Sequence, residues 1–207
     1  MGKAIRVLVV DDHPVVRNGL SAVLALHEDI DVVGDASSVA TALDAQRKLT
    51  PDVTMLDFQL GDGTAVDVLK QCTDLGIDLK AVVLSTYDGA WDVYRCLRCG
   101  AKSYLLKEMP QETVLEAIRA SAKGLRFIPP VIADRAAEAM TLDQLTGREF
   151  DVLQMLAEGM SNKAIAKQLG IGEGTVKTHV NGLMAKIHAD SRTEAVIRAF
   201  KLGLVRL

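Results

Sequence analysis

The sequence predicts two folded parts in series: an α/β part on a five-stranded, parallel, doubly wound sheet, then a smaller all-α part of four helices. Three observations predict this. Up to Gly124, continuous apolar runs alternate with segments of helical spacing, five times over. From Leu145 onward only helix signals remain. Charge divides too: residues 1–140 hold 15 Lys/Arg against 20 Asp/Glu, residues 141–207 hold 9 against 7.

The strands come first. IRVLVV (5–10), IDVVGDA (30–36), DVTMLD (52–57), KAVVLST (80–86) and KSYLL (102–106) are short, rich in β-branched residues and largely unbroken by polar alternation. Such runs suit a parallel sheet covered on both faces. Between and after them lie VVRNGLSAVLAL (15–26), VATALDAQRKL (39–49), AVDVLKQCTDLG (65–76), DGAWDVYRCLRCG (88–100) and PQETVLEAIRASAKG (110–124), all with helical spacing. Gly76, Gly100 and Gly124 stop their helices, and Pro110 opens the last one.

Residues 125–144 open on a Pro pair and turn Ala-rich, which reads as a partly helical linker between parts 1–124 and 145–207. TGRE (146–149) is a capping box: the Thr146 and Glu149 side chains each satisfy the other's backbone end. Its helix stops at Gly159. A second helix starts at a Ser161 cap and stops at Gly170, a third covers 173–187, and a fourth opens on a further capping box, Ser191 with Glu194, and stops at Gly203.

Hydrophobic residues are 49% and charged residues 25%, ordinary for a soluble protein. No apolar run approaches the ~20 residues of a membrane span. The start MGKAIRVLVVDDHP reads as a strand and not a signal peptide, and it lacks the Ser/Thr that a myristoylation signal wants at its sixth position. A cytoplasmic protein without membrane partners is expected. Cys72, Cys96 and Cys99 are too few for a disulfide framework, and the one C-x-x-C has no second ligand pair for zinc. They read as inert helix residues.

In open parallel sheets the working crevice lies at the carboxyl ends of the strands. Asp11 and Asp12 follow the first strand, Asp57 ends the third, Ser85 and Thr86 end the fourth, and Lys107 follows the fifth. Clustered carboxylates repel unless a cation sits among them, and Asp11, Asp12 and Asp57 suit Mg²⁺, which takes one or two carboxylates plus phosphate oxygens. Lys107 and Ser85 can hold phosphate oxygens around an acceptor, Asp57. The short helix, Gly170 turn and following helix fit a helix-turn-helix, whose second helix enters the major groove of double-stranded DNA. Its exposed side chains are expected to be Glu173, Thr175, Lys177, Thr178, Asn181 and Lys186.

Residues 4–124, through VLVVDDHPVVRNGL, PDVTMLD, VVLST and GAKSYLLKE, resemble the flavodoxin-like receiver domain of two-component response regulators. The resemblance implies phosphoryl transfer from a sensor histidine kinase to Asp57. It implies Mg²⁺ held by Asp12, Asp57, the Gln59 carbonyl and Asp11 nearby, phosphoryl oxygens held by Ser85 and Lys107, and Tyr104 as a switch aromatic turning inward as Ser85 moves. Gly61 stands where the family usually has proline, Ala65 where it has glycine, and Thr86 where a small residue is usual. Those departures put the stiffness of loop 58–64 and access to the phosphate in question.

Residues 145–205, through LTGRE, GMSNKAIA and TVKTHV, resemble the LuxR-type helix-turn-helix domain. That implies base contact from Lys177, with His179 and Asn181 on the groove-facing helix. Thr175, Thr178 and Lys186 would meet phosphates, and Val176, Val180 and Leu183 would be core. Gly172 replaces the usual Ser cap at a cost of a few tenths of a kcal/mol, and Gly174 and Gly182 are expected to soften the helix. Together the halves resemble a response regulator of the NarL/FixJ class. That is a transcription factor, not an enzyme, dimerising through residues 192–203 when phosphorylated. One alternative is a DNA-binding regulator without phosphorylation control. The other, an aspartate-nucleophile phosphatase suggested by Asp62-Gly63-Thr64, fails because Leu60 stands where its nucleophile belongs.

Overall fold

The computed structural model describes residues 3–87, 89–140 and 145–205. The first two residues, the helix start expected at Asp88, the linker's end at 141–144 and the last two residues lie outside the described residues. The chain divides into two compact units. One carries the sheet and ends at Ala133; the other runs from Asp134 and takes in Gly89–Tyr94.

Up to Ala122 the elements are β1 (Ile5–Val10), α1 (Pro14–Leu24), β2 (Ile30–Ala36), α2 (Val39–Leu49), β3 (Val53–Asp57), β4 (Gln59–Leu60), β5 (Gly63–Thr64), α3 (Ala65–Asp74), β6 (Ala81–Ser85), α4 (Ala90–Arg98), β7 (Ser103–Leu106) and α5 (Gln111–Ala122), all in the first unit except the Ala90–Tyr94 part of α4. Five strands form one parallel sheet in the order β2-β1-β3-β6-β7. The strand order reverses between β1 and β3, which opens a crevice outside their carboxyl ends.

Every residue of β3 and β6 is buried, as unbroken apolar strands require. Val7, Val9, Val53, Met55, Val82, Leu84 and Leu105 point to one face, where Leu24 of α1 and Leu115 and Ile118 of α5 close over them. Thr54 faces the other side, where its hydroxyl donates to Gln46 Oε1 of α2 at 3.1 Å. This pairing lets two polar groups lie in the core without an orphan. Cys72 and Cys96 are buried and Cys99 half-buried, all as free thiols.

The segment expected to be loop 58–64 contains structure of its own. β4 and β5 form an antiparallel ladder pairing Gln59 with Thr64 and Leu60 with Gly63. At its end Thr64 and Asp67 make a capping box for α3, with Thr64 N–H and hydroxyl both donating to Asp67 Oδ2 at 2.8 Å.

The linker carries one helix, α6 (Pro130–Met140). The helical unit then consists of α7 (Gly147–Ala157), α8 (Asn162–Leu169), α9 (Glu173–Lys186) and α10 (Arg192–Lys201). Val152, Leu153, Leu156, Ile165, Val176, Val180, Leu183, Ala195 and Ala199 form its core. Gly170 turns α8 into α9 in the left-handed region, φ 66°, where a side chain would be strained. No helix among the described residues is long and apolar enough to cross a membrane.

The capping box at Thr146 is present and reaches further than its four residues. Glu149 Oε2 accepts from Thr146 N–H at 2.7 Å and Thr146 hydroxyl at 2.8 Å, and meets Lys186 Nζ of α9 at 2.6 Å. Gly182 belongs to the same contact: a Cβ there would lie 2.7 Å from Glu149 Oε1. The glycine expected to soften α9 is thus the gap that admits Glu149. The second capping box is half formed. Ser191 Oγ accepts from Glu194 N–H, but Glu194 Oε2 reaches Asp190 N–H at 2.9 Å, one residue upstream of the cap.

Burial pushes the Glu149 carboxyl up, but the Lys186 ammonium and the Thr146 donors outweigh it and hold it below the usual glutamate range. A lowered carboxyl adds stability that is full above its unfolded value, near 4.5, and is lost as pH falls through the folded value. Glu149→Ala is therefore expected to lower unfolding free energy at neutral pH by about 2–3 kcal/mol, as loss of a cap and of a buried ion pair together. The deficit should shrink on acidification below the ordinary glutamate range. Urea unfolding of both proteins across pH, followed by circular dichroism, measures it.

Candidate functional site

The strand ends bring the expected residues together. β1 ends on Val10, so Asp11 and Asp12 emerge at the crevice; β3 ends on Asp57, β6 on Ser85, and Lys107 follows β7. Asp11, Asp57 and Ser85 are buried, at 2%, 6% and 2% exposure, so these carboxylates need a nearby countercharge. Lys107 Nζ supplies it, 2.7 Å from Asp11 Oδ2 and 3.0 Å from Asp57 Oδ1. Lys107 N–H donates to Ser85 O at 2.8 Å and Phe58 N–H to Leu84 O at 2.7 Å, so the sheet's own hydrogen bonds set the site's register.

Burial pushes the Asp57 carboxyl up; Lys107 pulls it back in part, and Asp11 and Asp12 push it further up. Burial acts on Lys107 in the opposite sense, but its bonds to Asp11 and Asp57 prevail and hold the ammonium above its ordinary range. One cation is shared by two anions while a third carboxylate stands beside them.

That third carboxylate is Asp12. Its Oδ1 is buried without a hydrogen bond; His13 Nδ1 lies 2.7 Å away but out of hydrogen-bond alignment. Asp11, Asp12, His13 and Asp57 offer ligand atoms that all lie within 4.8 Å of one another. A buried carboxylate oxygen without a donor, in a hard-oxygen cluster, is compatible with Mg²⁺. Gln59, whose carbonyl was expected to join the set, lies exposed at the start of β4.

Tyr104 is fully buried, its hydroxyl donating to Tyr87 O at 3.0 Å and its ring 6.2 Å from that of Phe58. The ring is thus already inward while Ser85 is still bonded to Tyr87. Ser85 Oγ accepts from Tyr87 N–H at 3.0 Å, so Tyr87 meets both Ser85 and Tyr104 through its backbone. Thr86 is exposed.

Asp62 has no place in the crevice. Its carboxylate accepts from Val39 N–H at 2.7 Å and Ala40 N–H at 3.3 Å, at the start of α2. Leu60, at the position a phosphatase nucleophile would need, is buried at 1% exposure. Arg17 is a residue the sequence reading missed: Nη1 donates to Asp11 O at 2.8 Å and Nε to Asp35 Oδ2 at 2.6 Å, bracing the backbone of the site. An arginine interrupting the apolar opening of α1 was its signal.

In the helical unit, Glu173, Thr175, Lys177, Thr178 and Asn181 are exposed on α9, His179 is half-buried, and Val176, Val180 and Leu183 are core. Thr178 hydroxyl donates back to Gly174 O at 3.1 Å. Lys186 departs from expectation. It is half-buried and its ammonium is engaged by Glu149, so it stands apart from the free polar face. The N-cap is Gly172, with no side-chain bond to the helix end.

Residues 7–119 match the family model described as the response regulator receiver domain. Residues 143–199 match that of the bacterial regulatory proteins of the luxR family. The chain is 36% identical to a nitrate/nitrite response regulator homolog of Haemophilus influenzae, over 97% of this chain and 99% of that one. It is 38% identical to the nitrate/nitrite response regulator NarP of Escherichia coli, over 93% of each. Among solved structures it resembles the response regulator ChrA of a heme-sensing two-component system, with TM-score 0.58 and 32% identity over 98% of this chain and 100% of that one. The fold is also that of RcsB from Salmonella enterica serovar Typhimurium, solved on promoter DNA with a phosphomimetic, with TM-score 0.74 and 23% identity over 97% of this chain and 100% of that one.

Two outcomes follow from this geometry. A raised folded-state carboxyl costs stability as pH rises from its unfolded value, near 3.8, through the folded one. Asp57→Asn removes that cost, so the variant is expected to melt higher than the parent at neutral pH, with the gap closing on acidification toward the ordinary aspartate range. Thermal scans of both proteins test it. The Lys186→Met/Glu149→Gln pair is expected to leave the salt dependence of binding to non-specific duplex DNA unchanged, because Lys186 is internally paired. A phosphate contact at Lys186 would instead reduce the log–log slope by about 0.9.

Proposed function

The chain belongs to the two-component response regulators that join a receiver domain to a LuxR-type DNA-binding domain, and from that membership we propose that Asp57 is the phosphoacceptor through which a sensor histidine kinase controls its binding to DNA. The observation that carries this reading is the Lys107 ammonium shared by two buried carboxylates, Asp11 and Asp57, beside the unsatisfied oxygen of Asp12.

The Asp57 carboxylate attacks phosphorus as the bond from phosphorus to the kinase's histidine nitrogen breaks. An acyl phosphate forms, and the imidazole leaves with the electron pair. Phosphoryl transfer needs positioning and charge neutralisation more than covalent help. The end of β3 fixes the attacking oxygen, and Lys107 offsets part of the burial that pushes its carboxyl up. The ammonium then moves its charge onto a phosphoryl oxygen, and the Ser85 hydroxyl takes another by hydrogen bond. Asp12, Asp57, the Gln59 carbonyl and Asp11 nearby would hold Mg²⁺, which would supply positive charge to the phosphoryl oxygens. Drawing Ser85 Oγ toward phosphate breaks its bond with Tyr87 N–H, and Tyr87 O is the acceptor of Tyr104. A charge change at Asp57 thereby reaches the outer end of β7 through two hydrogen bonds.

The same reading assigns α9 to the major groove, with Lys177 and Asn181 toward base edges, His179 beside them, and Thr175 and Thr178 toward phosphates. Lys186 is left out of that set because Glu149 holds it. Ile197 and Phe200, one turn apart on α10, are 51% and 54% exposed. Two such apolar side chains on an outer helix support a two-fold contact between copies of this chain when phosphorylated. The function calls for a cytoplasmic location and for no catalytic turnover of its own.

Beryllofluoride, a phosphoryl mimic, is expected to raise the affinity of the intact protein for its duplex DNA and the dimer fraction in a mass-resolved size-exclusion run. Asp57→Asn should respond in neither. An equal response of the variant, or none in the parent, would favour a regulator working without phosphorylation control.

A further inference from the structure

We propose that Asp62 is a positioning residue for phosphoryl transfer, clamping the loop behind Asp57 onto the start of α2 and doing the stiffening that a proline at position 61 would otherwise do. The inference rests on the phosphoacceptor reading of Asp57.

The first backbone N–H groups of a helix have no partner within it. In α2 each finds one. Ser38 N–H donates to Thr41 Oγ1 at 3.0 Å, Val39 N–H to Asp62 Oδ1 at 2.7 Å, Ala40 N–H to Asp62 Oδ2 at 3.3 Å, and Thr41 N–H to Ser38 Oγ at 3.1 Å. Ser38 and Thr41 already form a local capping box. Helix α2 therefore has its own cap, and the carboxylate arriving from 23 residues away adds a tie between two segments. One anion across two donors at a helix N-terminus joins charge-assisted hydrogen bonds to the helix dipole.

The other end of that tie is the tip of the β4–β5 turn. Leu60 pairs with Gly63, so Gly61 and Asp62 are the turn's two central residues. Both are exposed, and neither has positive φ. The base of the turn is well held: Ala65 N–H donates to Phe58 O at 2.9 Å, and Leu60 is buried. Gly61 at the tip has room around it and a wide conformational choice. A Cβ there would lie 3.8 Å from Asp12 Oδ2. The tip thus borders the carboxylate cluster, and any drift of the turn moves the wall beside Asp12. Asp62 is the residue through which that wall is fastened to a helix.

The test uses the intact chain with Mg²⁺ and a radiolabelled acyl phosphate as phosphodonor. It follows the initial rate of incorporation at Asp57 and its Mg²⁺ dependence. Asp62→Ala is expected to slow incorporation about tenfold and to raise the half-saturating Mg²⁺ similarly, as loss of groups behind a ligand set does. Asp62→Asn should lose less than Asp62→Ala, because its amide oxygen keeps the bond from Val39 N–H while its NH2 cannot accept from Ala40 N–H. Gly61→Pro in the Asp62→Ala background should recover most of the loss, since proline suits the first central position of such a turn. Parent-like rate and Mg²⁺ dependence in Asp62→Ala would overturn the proposal, as would an Asn variant as slow as the Ala variant or a proline that recovers nothing. A parent chain that incorporates no phosphoryl group would overturn the phosphoacceptor reading itself, and this inference with it.

Discussion

Lys107 bridges two carboxylates that could not otherwise share one buried edge. Asp11 and Asp57 are nearly inaccessible to water, so their mutual repulsion is poorly screened, and Asp12 stands beside them. The ammonium satisfies one oxygen of each, at 2.7 and 3.0 Å. The cluster remains short of positive charge, which shows in the buried Asp12 oxygen without a hydrogen bond; burial first, and Asp11 and Asp12 after it, push the Asp57 carboxyl up. An arrangement of this kind costs stability at rest and gains from any added positive charge. A phosphoryl group on Asp57, as proposed, would add negative charge to that imbalance and deepen the need for a cation, while bringing oxygens for Lys107 and Ser85 to hold.

The rest of the first unit serves to keep that imbalance in register. Asp57 sits on a strand buried along its whole length, and its neighbours β1 and β6 fix where Asp11 and Ser85 emerge. Arg17 braces the Asp11 backbone, and Asp62 braces the far wall. In the helical unit a second buried carboxylate works differently. Glu149 has a full set of partners, and it binds the start of α7 to the last turn of α9. One buried acid is kept short of partners and is available for chemistry; the other is satisfied and holds a helix in place.

Much of this was legible in the sequence. The strand ends named Asp11, Asp12, Asp57, Ser85 and Lys107, because period and position in a parallel sheet are local properties of the chain. Helix ends were legible for the same reason, through Gly76, Gly170 and the Thr146–Glu149 box. What escaped depends on contacts between segments. Asp62 looked like part of a phosphatase signature, but its partners lie on α2. Lys186 has the spacing of a groove-facing residue, and only the approach of α7 withdraws it. Gly182 looked like a weak point in α9 until the Glu149 oxygen beside it was visible. The Glu194 side chain shows how small the margin can be: it reaches Asp190 N–H where the local pattern predicts that of Ser191.

Asp11, Asp12 and Asp57 form a cluster with one ammonium among three carboxylates, compatible with a divalent cation. The most direct measurement is thermal unfolding of the apo protein against Mg²⁺ concentration, with Asp12→Ala beside it. The melting temperature of the parent is expected to climb with Mg²⁺, corresponding to about 2.7 kcal/mol at roughly a hundred times the dissociation constant. Asp12→Ala should respond much more weakly. A parent whose melting temperature ignores Mg²⁺, or a variant that responds equally, would contradict that expectation.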